Sequence, residues 1–185
     1  MKIYTKKGDD GSTGLLFGGR VSKNSIQVEL NGVVDETQAA IGLVRAFARD
    51  EDLVRLCVHL ETDLWVLMAE VATKPENRSK LVVGKTLVDT AMVSWLEEEI
   101  DRISALFEMP REFVIPGGNP ISAYLDIARV TARRAERASV MFTQLASDTE
   151  VGRYLNRVSD LLWTMARWQD GEALKTRDVF EREKN

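Results

Sequence analysis

The sequence predicts an all-α fold, a five-helix up-and-down bundle that follows a glycine-rich N-terminal loop. Apolar residues recur at steps of three and four from residue 26 onward, which is the period of an amphipathic helix. The segments between the periodic stretches are short, and no series of strand-like segments interrupts them. For a chain of 185 residues without a linker-like stretch, we expect one domain over residues 1–185 with a single core.

Residues 1–25 are the predicted loop, because their composition differs from that of the rest of the chain. Five glycines stand between Gly8 and Gly19, among Lys, Asp, Ser and Thr residues, and such stretches are typical of loops. We expect a short strand only at residues 15–17. Converging backbone N–H groups and lysines can hold an anion, although a flexible tail is the alternative for this segment taken alone.

Helical periodicity predicts the bundle over residues 26–171. The five helices are expected at residues 26–49, 52–72, 86–107, 120–144 and 148–171. The second helix is apolar around most of its circumference, which indicates burial on several sides or a subunit contact. Residues 73–85 are a connector, and residues 172–185, with four acids and four bases, are expected to form a frayed tail.

Capping residues support several of these helix boundaries. Thr86 followed by Asp89 resembles a capping box at the start of the third helix. Asn119 is a good N-cap for the fourth helix, and Pro120 suits its first helical position. Gly171 is expected to end the fifth helix, since glycine readily adopts the left-handed conformation found there.

Four arginines lie within residues 128–137 of the fourth helix, in a chain whose formal net charge is −4. An acidic chain is a poor general binder of nucleic acid, so we expect a small anionic ligand. Asp126 with Arg129, and Arg133 with Glu136, are expected to form i,i+3 ion pairs along the helix. A solvated face of mixed charge is the alternative, but guanidinium groups suit bidentate phosphate contacts.

Other classes of site and compartment are disfavoured. Cys57 is the only cysteine, which excludes an intrachain disulfide and fits a reducing cytoplasm. No apolar signal segment opens the chain, and no run of about 18 apolar residues predicts a membrane span. His59 is the only histidine and is expected in the core or an interface, without a metal-ligand motif around it. The GKT at residues 84–86 lacks the first glycine of a Walker A loop and indicates a helix start instead.

Six sequence blocks, in this order, resemble those of a known family. They are YTKKGDDGSTG, GGRVSK, VDE, FVIPGG, ARVTARRAER and YLNRVSD. Together they closely resemble the PduO-type ATP:cob(I)alamin adenosyltransferases over residues 3–168, most specifically in residues 3–36, 113–137 and 154–160. The resemblance implies a homotrimer of five-helix bundles with active sites between adjacent subunits. It also implies transfer of the 5′-deoxyadenosyl group of ATP to the cobalt of cob(I)alamin, which gives adenosylcobalamin and triphosphate.

The resemblance implies site residues by position. The family's ATP-binding positions match Thr5, Lys6, Lys7, Gly8, Thr13, Gly14, Lys23, Arg133, Arg134, Glu136, Arg137 and Asn156. Asp35 and Arg129 match a pair that forms a salt bridge across the subunit interface and shapes the site. Phe113 matches the aromatic residue at the lower face of the corrin, where it excludes the dimethylbenzimidazole ligand and leaves cob(II)alamin four-coordinate. A cobalt with fewer donors is easier to reduce to Co(I).

The resemblance also implies the small molecules and the partners. ATP and cob(II)alamin or cob(I)alamin are the substrates, and Mg²⁺ would bridge the phosphate oxygens, with no metal ligands assigned. A flavin reductase and an adenosylcobalamin-dependent enzyme are the expected protein partners. Without the resemblance, the residues also allow a non-catalytic ATP-binding regulatory bundle or a nucleic-acid module. Likewise, Asn156 taken alone could be an exposed amide, and Phe113 taken alone a core residue.

Overall fold

The computed structural model describes residues 3–146 and 148–171, and within them it has five α-helices and one small antiparallel sheet. The helices are α1 (Ile26–Phe47), α2 (Glu51–Val71), α3 (Thr90–Ser104), α4 (Pro120–Leu145) and α5 (Val151–Asp170). The sheet pairs β1 (Ser12–Gly14) with β2 (Arg20–Ser22). The prediction of an all-α five-helix bundle is therefore confirmed. The predicted tail at residues 172–185 lies outside the described residues.

The core lies between helices that each present an apolar face. Helix α4 packs against both α1 and α5, while α2 packs on α1 and α3 on α5. Ala128, Ala132 and Ala135 of α4 are fully buried, because small side chains let the neighbouring helices approach closely. Helix α2 is only partly enclosed, since Val58 and Trp65 stay exposed on one side. None of the described helices is both long and apolar enough to cross a membrane.

Two local predictions are wrong. The N-cap of α3 lies three residues later than expected, because Asp89 rather than Thr86 occupies it and accepts a hydrogen bond from the backbone N–H of Met92 at 2.9 Å. Thr86 instead accepts from the backbone N–H of Val82 at 2.8 Å within a tight turn. The expected strand at residues 15–17 is the connection between β1 and β2, so strands flank it on both sides.

Other helix ends agree with their predicted capping residues. The side chain of Asn119 accepts from the backbone N–H of Ser122 at 3.0 Å, and the Ser122 side chain accepts from the backbone N–H of Asn119 in return. Pro120 occupies the first helical position of α4. Gly171 follows α5 with φ +66, a region where residues other than glycine are strained.

Glu70 ties the connector between α2 and α3 to the bundle. Its fully buried carboxylate accepts from the Arg78 guanidinium at 3.0 Å and from the backbone N–H of Val88 at 2.8 Å. It also accepts from the Thr149 hydroxyl at 2.6 Å. Arg78 belongs to a short 3-10 helix, Pro75–Lys80. A single carboxylate thus joins the connector, the segment before α3 and the start of α5.

We expect Glu70→Gln to lower the free energy of unfolding by about 2 kcal/mol. The NH₂ group of a buried glutamine would face hydrogen-bond donors where the carboxylate now accepts from them. Urea denaturation followed by circular dichroism measures the effect. Glu97→Gln is the control, because Glu97 is exposed on α3 and has no ion pair among the described residues. Equal stability of the two variants would contradict this account of Glu70.

Cys57 is expected to be unreactive while the chain is folded. Burial, with a smaller contribution from the charge of Glu61, raises the pKa of its thiol to about 12. At pH 8 the thiolate fraction is then about one in ten thousand. Labelling with a chromogenic disulfide reagent should be slow in native buffer and fast in guanidinium chloride. Rapid labelling of the folded protein would contradict the prediction.

Candidate functional site

The N-terminal loop is closed by the hairpin of β1 and β2. Thr13 faces Val21 and Gly14 faces Arg20 across the two strands. The chain turns between the strands through Gly18 and Gly19, which have φ +95 and φ +89. This conformation favours glycine, which fits the glycines found in the turn of the hairpin.

The loop brings Lys23 next to Gly8. The backbone N–H of Lys23 donates to the Gly11 carbonyl at 2.9 Å, and a Cβ placed on Gly8 would lie 3.2 Å from the Lys23 ammonium nitrogen. Lys6, with φ +60, lies on the exposed side of the same loop. Thr5 accepts a long hydrogen bond of 3.5 Å from the backbone N–H of Lys7. The predicted loop residues therefore share one compact segment.

Arg20 holds this loop together and was missed in the sequence analysis, although it lies within the GGRVSK block. Its guanidinium donates to the backbone carbonyl of Lys7 at 2.5 Å and to the Ser12 hydroxyl at 2.9 Å. It also pairs with Asp10 at 3.4 Å. The Ser12 backbone and hydroxyl hydrogen bonds, followed by the charge of Arg20, lower the pKa of the Asp10 carboxyl. An arginine eight residues from its hydroxyl partner gives no local sequence signal.

The hairpin is anchored on the end of α2. The backbone N–H of Leu16 donates to the Ala72 carbonyl at 2.8 Å. Lys74 packs so closely on Gly19 that an added Cβ would meet its side-chain carbon at 2.7 Å. The first predicted half of the ATP site is thus attached to α2 and the connector, whereas the second lies on α4.

The arginines of α4 differ in their partners. The side chain of Arg133 is exposed and has no polar partner among the described residues, so the expected ion pair with Glu136 is not formed. Arg134 pairs with Glu36 of α1. Arg137 donates to the backbone carbonyl of Arg133 at 3.1 Å. Arg133 and Arg137 thus present guanidinium groups one turn apart on the same exposed face.

Arg129 behaves differently because it lies at the edge of the core. Its Nε donates to Asp126 at 2.8 Å, which confirms the expected i,i+3 pair. Asp35 of α1 is exposed and is not paired with Arg129 within the chain. The resemblance places the Asp35–Arg129 pair between two subunits, so that pair stays a prediction.

Helix α5 carries Asn156 close to a buried hydrogen bond between Tyr154 and α2. Tyr154 is fully buried and donates to the Asp63 carboxylate of α2 at 3.0 Å, and burial raises the pKa of both groups. His59 stacks on the ring of Trp95 with centroids 3.6 Å apart and lies 3.5 Å from Asp63. The half-buried Asn156 accepts a hydrogen bond from its neighbour in sequence, Arg157.

A cleft of about 540 Å³ opens where α4, α5 and the segment before α4 meet. It is lined by Pro110, Arg111, Glu112, Phe113, Val114, Pro116, Asp126, Arg129, Trp163 and Arg167. Phe113 is 88% exposed at this cleft, which contradicts the alternative that it is a core residue. A large exposed aromatic at a concave site is typical of a ligand-binding surface.

The segment that carries Phe113 is fixed at its far end. The Asn119 side chain donates to the Gln169 carbonyl at 2.6 Å. Gly118 lies against Asp170, where an added Cβ would come within 2.6 Å of a carboxylate oxygen. Gly117 has φ +103. Gly118 is therefore needed for the close approach of this segment to the end of α5, and Gly117 for its left-handed backbone conformation.

The described residues contain no group of three or more His, Cys, Asp or Glu side chains that could hold a metal ion. The donor set therefore does not form an all-protein cage. Mg²⁺ is commonly held by substrate phosphates and waters with only one or two carboxylates. The residues present are compatible with a Mg²⁺ ion that arrives with a nucleotide.

The chain is similar in sequence to known adenosyltransferases. The family model described as cobalamin adenosyltransferase matches residues 3–169. A corrinoid adenosyltransferase of Citrobacter freundii is 38% identical over 170 residues, which cover 91% of this chain and 95% of the relative. The corrinoid adenosyltransferase PduO of Salmonella typhimurium is 37% identical over 98% of this chain, which spans 53% of that relative's length.

The chain is also similar in fold to solved structures of adenosyltransferases. A variant of the PduO-type ATP:corrinoid adenosyltransferase from Lactobacillus reuteri, in complex with cobalamin and ATP, matches with a TM-score of 0.82 and 26% identity. The match covers 96% of this chain and 97% of that one. Another variant of that enzyme, in complex with ATP, matches with a TM-score of 0.73 and 27% identity over 91% and 94% of the two chains. The chain belongs to the cobalamin adenosyltransferase family.

Proposed function

We propose that the chain transfers the 5′-deoxyadenosyl group of ATP to the cobalt of cob(I)alamin. The observation that carries this proposal is the position of two arginines on neighbouring turns of α4. Arg129 lines the cleft of Phe113, and Arg133, one turn further along, has no polar side-chain partner among the described residues. A corrinoid in the cleft would then lie next to the cations that bind the triphosphate.

The chemistry assigned to these residues is a nucleophilic substitution at the 5′ carbon of ATP. The electron pair of Co(I) forms the Co–C bond, and the electrons of the broken C–O bond leave with triphosphate. Negative charge therefore grows on the leaving group. Preorganised cations stabilise such charge in the transition state, and that is the role of Arg133 and Arg137, together with Lys6 and Lys23 of the loop.

Phe113 acts on the other substrate. Its ring would occupy the lower face of the corrin and exclude the dimethylbenzimidazole ligand and water. Cob(II)alamin then becomes four-coordinate and easier to reduce. Asn156 would contact the nucleotide from α5.

We assign the complete site to the contact between two copies, within a homotrimer. The hairpin is anchored on α2 and the connector, whereas the arginines project from α4. Asp35 is exposed and not paired with Arg129 in its own chain, which leaves it available to Arg129 of a second copy. The proposal includes Mg²⁺ bound with ATP, a cytoplasmic location, a flavin reductase and an adenosylcobalamin-dependent enzyme as partners.

The test is an anaerobic assay of the purified protein with ATP, Mg²⁺ and chemically reduced cobalamin. We expect the light-sensitive adenosyl product and one triphosphate per product. A protein that binds ATP but neither binds cobalamin nor forms the product would instead be a non-catalytic ATP-binding bundle. Light scattering of the same sample tests the trimer independently.

A further inference from the structure

A largely buried cluster of two arginines and two carboxylates lies in the wall of the cleft. Asp126 of α4 is 5% exposed and accepts from Arg129 at 2.8 Å and from Arg167 of α5 at 2.6 Å. Arg167 is 4% exposed, and its Nε lies 2.9 Å from the Asp170 carboxylate. The two positive and two negative groups balance in charge.

The cluster connects the parts of the cleft with one another. Asp126, Arg129 and Arg167 all line it. Asp170 packs against Gly118 in the segment that carries Phe113. Arg167 also lies beside the ring of Trp163, with its guanidinium carbon 5.9 Å from the ring centroid. The ion pairs therefore join α4 to α5 at the wall of the cleft, and the packing of Asp170 on Gly118 adds the segment before α4.

Stability alone does not account for such a cluster. Buried ion pairs commonly add little net stability compared with apolar residues of similar size, because desolvation offsets their attraction. Their better-supported use is to fix one arrangement of side chains. In this cluster the side chain that is both held by an ion pair and partly exposed to the cleft is that of Arg129.

The geometry determines which atoms of Arg129 remain available. Asp126 takes its Nε, and the terminal nitrogens of Arg129 have no polar partner within residues 3–146 and 148–171. The side chain of Arg129 is 23% exposed. A guanidinium held through Nε keeps its two terminal nitrogens in a fixed plane, which suits a second, directed contact.

We propose that Asp126, itself clamped by Arg167, is a positioning residue that orients Arg129 for the corrinoid side of the site. This inference rests on the proposed function. With Asp126 in place, the terminal nitrogens of Arg129 are available to a ligand in the cleft or to Asp35 of a second copy. Without it, Arg129 would lose its fixed plane, and Arg167 would remain with Asp170 alone.

The test is a double-mutant cycle with Asp126→Asn and Arg129→Ala. We expect Asp126→Asn to raise the KM for cob(I)alamin about tenfold while the KM for ATP changes less than about twofold. In the Arg129→Ala background, Asp126→Asn should raise the corrinoid KM no further, because the side chain it positions is gone. Equal effects on both substrates, or additive effects in the cycle, would overturn the proposal in favour of a purely structural role.

Asp52→Asn is a matched control. Asp52 also lies between two arginines, at 2.9 Å from Arg55 and 2.7 Å from Arg102, but on α2, away from the cleft. We expect both KM values to be unchanged in this variant. If Asp126→Asn does not fold, Arg167→Lys replaces it in the same cycle. A selective rise in the corrinoid KM that disappears in the Arg129→Ala background would support the proposal, and equal or additive effects would overturn it. A wild-type protein that shows no turnover and no corrinoid binding would refute the proposed function, and with it this inference.

Discussion

Replacing Arg133 by alanine is expected to lower kcat/KM for ATP by about 10²–10³-fold, as loss of one preorganised charge-stabilising donor does in other enzymes. Arg133 is exposed and has no polar side-chain partner among the described residues, so the fold does not depend on it. Arg133→Lys should give an intermediate loss, because an ammonium keeps the charge but lacks the fork of a guanidinium. Steady-state kinetics with ATP varied at saturating corrinoid measures both variants.

The control for this prediction is Arg153→Ala. Arg153 is also a helical arginine, exposed on α5, where its only described ion pair is with Glu150 at 3.2 Å. Exposed pairs of this kind contribute little to stability, so we expect kcat/KM within about twofold of wild type. If Arg133→Ala behaved like Arg153→Ala, the arginines of α4 would be an ordinary solvated helix face. The proposed ATP site would then be wrong.

The helices could be predicted from the sequence because their signals are local. The spacing of apolar residues and the pairing of Asn119 with Pro120 are read within a few residues of one another. The start of α3 was misplaced for the same reason. Thr86 and Asp89 are both acceptable N-caps. In the structure the Thr86 hydroxyl accepts from the backbone N–H of Val82 instead, and Asp89 caps the helix.

The interactions that the sequence analysis missed are those between distant residues. Glu70 and Thr149 are 79 positions apart, and Asp126 and Arg167 are 41 apart. Neither pairing has a local pattern. Burying a carboxylate is costly unless cations and N–H groups surround it, so such groups become intelligible only when the fold is known.

The candidate site was predicted residue by residue only through the family resemblance. The glycines and arginines indicate an anion on physical grounds, but nothing in their spacing identifies a corrinoid. The exposure of Phe113 at a cleft is the structural observation that supports this second ligand. The hairpin and α4 are not joined by any hydrogen bond or ion pair among the described residues. If the site is formed by two copies of the chain, its residues from different copies cannot be placed together from the sequence of one chain.

Replacing Phe113 by alanine is expected to separate the two substrates. The ring is 88% exposed, so its loss should change the free energy of unfolding by less than about 0.5 kcal/mol. ATP affinity should be unchanged, because the arginines of α4 and the N-terminal loop are untouched. The spectrum of four-coordinate Co(II) should disappear, since the dimethylbenzimidazole ligand or water could return to the lower face. We expect kcat/KM for the corrinoid to fall about 10²-fold, equivalent to about 2.7 kcal/mol.

Leu106→Ala distinguishes this role of Phe113 from the loss of any exposed apolar side chain. Leu106 is 55% exposed just beyond α3 and does not line the cleft, so its variant should keep the Co(II) spectrum and the activity. If Phe113→Ala kept the four-coordinate spectrum, the cleft would not hold the lower face of the corrin. If it lost ATP affinity as well, the segment before α4 would belong to the nucleotide site. The separate roles of Phe113 and Arg133 therefore predict different defects in the two variants. Phe113→Ala should lower kcat/KM for the corrinoid and leave ATP affinity unchanged, whereas Arg133→Ala should lower kcat/KM for ATP.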